Sequence, residues 1–362
     1  MKYHQFVDYT KLDPVKAAAL EKFSETLEHP KRLGIKIVPE TLGEPAVALD
    51  FLNNDFLLAF NVEGLGTKNK IADAMSQDAR GKSFKYYESI GQDTVAMSTN
   101  DLLAIGADPI VFGDIISSGD SNWFDGSEKP KALLEGYRKA ANELQMAIPC
   151  GETPTLKGIV CPDTLDLAGA SVGIIQPKSR LIIGKNIAEG DAIIGLESSG
   201  VHSNGVSLAR KVAEGLPEGY FTELPSGAVL GEELLKPTVL YTRPIIELLE
   251  KGIELHYLAP ITGHGWKKIM RAKHPFTYEI DFVPEKTELF SFLQEHAKIP
   301  DSEAYYTWNM GIGYVVLAPQ ESISAIEKQC AKHNVKTWKL GTVKKGEKKV
   351  EIKPLNILYD EH

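Results

Sequence analysis

AVALDFLNNDFLLAFNVEGLGTK, residues 46–68, sets the fold class of this chain. Two apolar, β-prone runs, Ala46–Leu52 and Phe56–Val62, flank Asn53-Asn54-Asp55, a turn-forming triplet, and this pattern predicts an antiparallel hairpin. The second run leads straight into Glu63-Gly64-Leu65-Gly66-Thr67-Lys68, a carboxylate, paired glycines and a lysine at the end of a strand. Upstream, a helical pattern from Pro14 to Glu28 and a Pro- and Gly-bearing stretch, Pro30–Pro45, read as an arm and a loop. Downstream, the periodicity predicts a helix over Ser89–Ile105 stopped by Gly106, a strand at Ile110–Ile116, a helix at Lys129–Gln145 and a strand at Ala168–Ile175. Gln176-Pro177-Lys178-Ser179 supplies turn residues between two series of elements and marks the boundary.

Beyond that boundary the pattern gives a strand at Ala192–Leu196, a polar loop at Ser198–Asn204 and helices at Gly205–Glu214, Leu240–Lys251 and Trp266–Arg271. A strand at Ile312–Ala318, a helix at Gln320–His333 and a closing strand at Val335–Val343 follow. Strands and helices alternate in both halves, so the fold class is mixed α/β (α+β), and the opening hairpin argues against a purely parallel sheet. The organisation expected is an arm and loop over 1–45, an N-terminal domain over 46–176 and a C-terminal domain over 177–362.

The composition, 43% hydrophobic and 25% charged, is that of a globular protein, with no run of apolar residues approaching a membrane span. Met1–Thr10 lacks the basic and apolar regions of a secretory leader, which makes the cytoplasm the expected location and a membrane an unexpected partner. Cys150, Cys161 and Cys330 are an odd number without CxxC spacing, so reduced thiols are expected rather than a disulfide framework or structural zinc. A net charge of −9 with no basic patch argues against nucleic acid. A small anionic substrate remains compatible, held by backbone amides, a few lysines and a divalent cation acting at short range.

Ser198-Ser199-Gly200-Val201-His202-Ser203-Asn204-Gly205 packs hydroxyls, an imidazole, an amide and glycines between a strand and a helix, an arrangement that either binds an anion or simply caps the helix. Thr262-Gly263-His264-Gly265 is a shorter loop of the same kind and, alone, reads as a turn. Glu63, Asp101 and Glu152 are carboxylates that their spacing does not bring together, although carboxylates beside glycine amides and a lysine are what a Mg-nucleotide site needs. Gly81-Lys82-Ser83 imitates the end of a P-loop, but Ser76 occupies the upstream glycine position and the segment reads as surface. Gly64-Leu65-Gly66 and Gly311-Ile312-Gly313 lack the third glycine of a dinucleotide fingerprint.

Taken in order, the segments resemble the aminoimidazole ribonucleotide (AIR) synthetase family. Glu63–Lys68 resembles its D-G-V-G-T-K, and Asn100-Asp101-Leu102 with Gly106-Ala107-Asp108-Pro109 resembles N-D-L followed by G-A-x-P. Gly151-Glu152-Thr153 is similar to G-G-E-T, and Asp166-Leu167-Ala168-Gly169 to D-x-A-G. Ser199–Gly205 resembles S-G-x-H-S-N-G, Thr262–Gly265 stands at T-G-G-G, and Asn309-Met310-Gly311-Ile312-Gly313 resembles N-x-G-x-G. The match runs from Ala46 to Val343. It departs at Glu63 for Asp, at Cys150 for the first glycine of G-G-E-T, at Pro154–Lys157, and at His264 inside a glycine loop.

The resemblance implies an AIR-synthetase-like fold in which the N-terminal domain shares a sheet across a homodimer and the C-terminal α/β domain faces it over a cleft. It also implies ATP and Mg2+ as cofactors: Glu63, Asp101 and Glu152 as metal ligands, and Gly64, Gly66, Thr67, Lys68, Asn100, Asp101, Gly151, Glu152 and Thr153 around the nucleotide. Ser199, Gly200, His202, Ser203, Asn204, Thr262, Gly263, His264, Gly265 and Asn309 would hold the phosphorylated ribosyl substrate, with Lys68 and His202 in catalytic roles. The implied activity is ATP-dependent ring closure of formylglycinamidine ribonucleotide to aminoimidazole ribonucleotide. Thiamin monophosphate kinase is the superfamily alternative, and a nucleotide-binding paralogue acting as a sensor or assembly partner is the alternative of another class. If the Thr262–Gly265 loop binds phosphate through its amides, His264→Gly keeps activity and Gly265→Val raises the substrate constant.

Overall fold

The computed structural model of the protein describes residues 8–77, 83–125 and 128–361, so Gly81-Lys82 of the P-loop-like segment lie outside the described residues. The expected hairpin forms: β2 (Val47–Phe51) and β3 (Leu57–Gly64) run antiparallel, with Val47 opposite Phe60. A short β1 (Ile35–Ile37), inside the stretch expected to be irregular, pairs with β2. β4 (Asp108–Ser118), β5 (Ala147–Glu152) and β6 (Leu165–Ile175) complete a six-stranded sheet in the order β1-β2-β3-β6-β4-β5. Residues of β6 are alternately buried and more accessible along its length, as in a strand with one face on a core. β5 was hidden in the sequence by Pro149 and Gly151, which punctuate it like a loop.

Helices cover one face of this sheet. The N-terminal arm is α1 (Tyr9–Phe23), followed by a 3-10 segment, Ser24–Leu33, where the sequence suggested one continuous helix to Glu28. α2 (Asn69–Gln77) leaves the end of β3, and α3 (Lys85–Leu103) lies against β3 and β6. α4 (Glu128–Leu144) crosses α3 and returns the chain to β5, which lies parallel to β4, as a helical crossover requires. α3 is buried on nearly every side, because its other faces meet the second half of the chain.

The second half builds a seven-stranded sheet in the order β13-β12-β9-β11-β7-β10-β8. β7 (Ala192–Glu197), β8 (Tyr257–Pro260) and β10 (Ile312–Ala318) are buried nearly throughout, which is why they read as continuous apolar runs. β9 (Phe276–Ile280) and β11 (Thr337–Lys345) continue the sheet. The expected closing strand is β11, but β12 (Lys349–Ile352) and β13 (Ile357–Asp360) follow it, and their charged residues had masked the pattern. α5 (Val206–Glu214), α6 (Leu230–Leu234), α7 (Thr242–Glu250), α8 (Glu288–Ala297), α9 (Asp301–Thr307) and α10 (Ile323–Lys332) pack around it. The helix expected at Trp266–Arg271 is a 3-10 turn, Gly265–Met270.

Candidate active site

Glu63 and Asp101 meet because a polar stitch sets helix against strand. Asn61 Nδ2 donates to the Ser98 carbonyl at 2.9 Å, and Ser98 Oγ donates back to Asn61 Oδ1 at 2.6 Å. Glu63 is two residues along β3 from Asn61, on the same face, and Asp101 is one helical turn along α3 from Ser98. The two carboxyl groups therefore come into hydrogen-bond contact. Burial, then the charge of Asp101 and that hydrogen bond, push Glu63 up to about 8, and burial raises Asp101 against the pull of Lys268 and Arg271.

This pair opens on a cavity of about 590 Å³ whose far wall belongs to the second half. Thr262, Gly263 and His264 line it, as do Lys267, Lys268 and Arg271 from the 3-10 turn and its end, and Asn204 from the Ser198–Gly205 loop. Lys268 Nζ hydrogen-bonds Thr262 Oγ1, and burial lowers the ammonium to about 8 against the attraction of Asp101. Arg271 Nε is held 3.2 Å from Glu44 Oε2 and 3.0 Å from Tyr257 Oη, while its buried Nη2 has no hydrogen-bond partner. The arm contributes Lys16 and Glu44 to the wall. Glu44, Met97, Lys267, Lys268 and Arg271 were missed in the sequence; the Lys267-Lys268 pair directly after the glycine loop was the available signal.

The other expected residues are placed elsewhere. Gly64 ends β3, and Gly66 and Thr67 lie in the turn between β3 and α2, with Gly66 at a φ of 78° that favours glycine. Gly151, Glu152 and Thr153 are exposed at the sheet edge, and Glu152 stands opposite Ile115 of β4. Three strand spacings separate β5 from β3, roughly 14 Å, so Glu152 does not join Glu63 and Asp101. Among the described residues no cluster of three His, Cys, Asp or Glu stands ready for a metal ion. Lys68 is fully buried in an ion pair with Asp93 at 2.8 Å, and the Asn100 amide bonds the backbone of Val239 and Tyr241.

In the Ser198–Gly205 loop the polar groups mostly hold the loop itself. His202 Nε2 accepts from the Ser199 amide at 3.3 Å, and burial, with the nearby Lys68 charge, pulls its pKa down to about 3, so the ring is a neutral acceptor. Asn309 clamps the loop by accepting from Ser198 Oγ at 2.9 Å and donating to the Gly200 carbonyl at 2.8 Å. Ser198, Ser199 and Gly200 line a separate cavity of about 200 Å³. Ser203 Oγ is buried without a partner. Gly265 has a φ of 54°, and a Cβ there would stand 2.0 Å from the Tyr305 carbonyl oxygen.

Comparison with known proteins matches this architecture on both sides of the cavity. The family model described as AIR synthase related protein, N-terminal domain, matches residues 43–175, and the corresponding C-terminal domain matches 188–353. The chain is 35% identical over 316 residues to the phosphoribosylformylglycinamidine cyclo-ligase of Methanocaldococcus jannaschii, covering 86% of this chain and 85% of that one. It is 33% identical over 337 residues to the protein of the same name from Bacillus subtilis, covering 91% and 92%. Among solved structures, AaThiL complexed with AMPPCP and TMP superposes with a TM-score of 0.57 at 15% identity, covering 86% of this chain and 88% of that one. T. maritima PurL complexed with AMPPCP gives 0.53 at 14%, covering 87% and 45%, a likeness of fold.

Proposed function

The chain belongs to the AIR synthase related family, and from that membership we propose that it is a phosphoribosylformylglycinamidine cyclo-ligase of purine biosynthesis, using ATP to close the imidazole ring of aminoimidazole ribonucleotide. The observation that carries the reading is convergence: Glu63, Asp101, Asn204 and Thr262, from motifs far apart in the chain, line one cavity between the halves. A phosphoryl group passes from ATP to the formyl oxygen of the substrate. An amidine nitrogen of the same molecule then attacks the former formyl carbon, the C–O bond breaks, phosphate leaves with the oxygen, and the nitrogen loses a proton. Ring closure is intramolecular, so the protein's task is to fold the substrate into an attacking shape and exclude water.

We place the nucleotide on the first half, beside Gly64, Gly66, Thr67 and the carboxyl pair, and the ribonucleotide against Asn204 and the Thr262–Gly265 loop. Lys267, Lys268 and Arg271 give the cavity the cationic groups that attract phosphate oxygens. Two carboxyl groups in hydrogen-bond contact on the cavity wall are hard oxygen donors that suit a divalent cation, so Glu63 and Asp101 are the residues that would hold Mg2+, which would supply positive charge at the phosphates. No helix among the described residues is long and apolar enough to cross a membrane, and we place the enzyme in the cytoplasm, with 46–176 and 177–362 acting as its two domains.

We place a second copy of the chain on the first sheet. Phe60, Val62, Ile110 and Ile115 are exposed there, and among the described residues β5 leaves one edge without a neighbouring strand. A twin that continues the sheet past β5 and folds over this face answers both features.

The test is incubation with formylglycinamidine ribonucleotide, ATP and Mg2+, following ADP and aminoimidazole ribonucleotide together. Equal amounts of both are expected. ADP without the ring-closed product would instead indicate a kinase, and binding without turnover a sensor.

A further inference from the structure

Lys68 has no exposed surface. Its Nζ lies 2.8 Å from Asp93 Oδ2 and donates to the Lys236 carbonyl at 2.8 Å, so the ammonium bridges from the end of β3, by way of α3, to the second half of the chain. Asp93 completes the link, its Oδ1 accepting from the Thr238 amide at 2.7 Å and from Thr238 Oγ1 at 2.5 Å. The same side of α3 continues the seam: Gln92 Nε2 donates to the Thr238 carbonyl, and one helical turn beyond Ala96 the Asn100 amide takes the Val239 carbonyl and the Tyr241 N–H. From 236–241 the contacts reach the Ser198–Gly205 loop directly. Ser199 Oγ donates to the Pro237 carbonyl at 2.6 Å, Tyr241 Oη donates to the Glu197 carbonyl at 2.7 Å, and the Tyr241 ring packs beside His202.

We propose that Lys68 is a positioning residue: its ammonium closes the Lys68–Asp93–Thr238 link, which holds 236–241 on α3 and thereby sets Asn204 and its loop opposite Glu63 and Asp101. Lys68 neither lines the cavity nor touches nucleotide or substrate. The geometry favours this over a role in phosphoryl transfer, because the ammonium is enclosed by partners from both halves and lies outside the cavity wall. Burial draws the lysine down and the aspartate up, and each holds the other charged, so removing either one strands its partner in an apolar setting. The proposal rests on the cavity being the reaction site.

The experiment compares Lys68→Met with the double variant Lys68→Met/Asp93→Leu in the full chain. Replacing a whole buried ion pair by apolar side chains of similar size is commonly tolerated, whereas removing one member is not. Lys68→Met should speed amide hydrogen exchange at 236–241 and raise KM for the ribonucleotide about 10-fold, with KM for ATP changed by less than about 3-fold. The double variant should return most of that loss. A fall in kcat of about 1,000-fold in both variants, with KM unchanged, would show Lys68 acting on the transferring phosphoryl group and overturn the proposal. So would a lowered Tm in Lys68→Met with exchange and KM unmoved, which is a purely structural role. If the single variant does not fold, the double variant decides alone, between near-wild-type kcat and that loss. If the wild type forms no aminoimidazole ribonucleotide, the cyclo-ligase reading fails, and hydrogen exchange still decides the seam.

Discussion

At Glu63, burial and the neighbouring Asp101 make stability depend on pH. The Glu63 pKa is raised to about 8, so the folded state binds a proton that the unfolded chain releases near pH 4.3. The stability associated with that proton is fully present below the unfolded value and is lost as pH rises through the folded one. Glu63→Gln keeps the shape, removes the titration and leaves a neutral group beside Asp101. We expect it to cut kcat about 100-fold or more, yet to melt about 2 °C above wild type at pH 8, with the advantage shrinking toward pH 5. Activity assays and thermal melts across that range check both. Gly265 carries a different lesson. The sequence suggested that Gly265→Val would act on a bound phosphate, but the Tyr305 carbonyl occupies the place of a Cβ, so the variant should lose roughly 3 kcal/mol or more and misfold before any substrate constant is read. His264 sits at a φ of 68°, with its ring against Tyr306 and 3.5 Å from Asp13. His264→Gly trades about 1 kcal/mol of backbone strain for those contacts, and should keep its Tm within a few degrees and retain activity.

Among the elements, α3 and α4 cross where Gly91 and Gly136 remove side chains. A Cβ on Gly136 would stand 2.0 Å from the Glu88 carbonyl oxygen, and one on Gly91 would stand 2.3 Å from that of Leu133. In an isolated helix Gly→Ala stabilises by about 1 kcal/mol. Here the sign reverses, and Gly136→Ala should destabilise by about 2–3 kcal/mol in urea unfolding. The elements themselves were largely legible. The hairpin, α3, α4, β7 and β10 came out of periodicity because each carries a long, regular apolar pattern. α2, α8, α9, β5, β8 and β9 did not, being short, interrupted by proline or glycine, or edged with charge. The carboxyl pair was legible as two motifs but not as a contact, since the Asn61–Ser98 stitch that joins them is long-range. Lys268 and Arg271 were invisible for a related reason: only the folded turn directs them at Asp101.

For the molecule as a whole, assembly is the property most open to test. Val62 is 59% exposed and Phe60 41% exposed on the outer face of the first sheet, on β3, three strands in from the edge at β5. The wild type should sediment as a dimer at micromolar concentration, and Val62→Asp should weaken association about 100-fold or more, since a buried, unpaired charge at an interface costs several kcal/mol. Sedimentation equilibrium on both proteins is the check, and a wild-type monomer at those concentrations would remove the twin from the proposal. The seam along α3 bears on how the gene can be handled. The polypeptide passes from one sheet to the other through residues 176–191 alone, and every other tie between them, from Lys68 to Tyr314, is noncovalent. A cistron divided at that passage and expressed as two open reading frames still encodes both faces of the joint. Complementation in trans, rather than fusion, is therefore available for building hybrids whose N-terminal and C-terminal halves come from different parents.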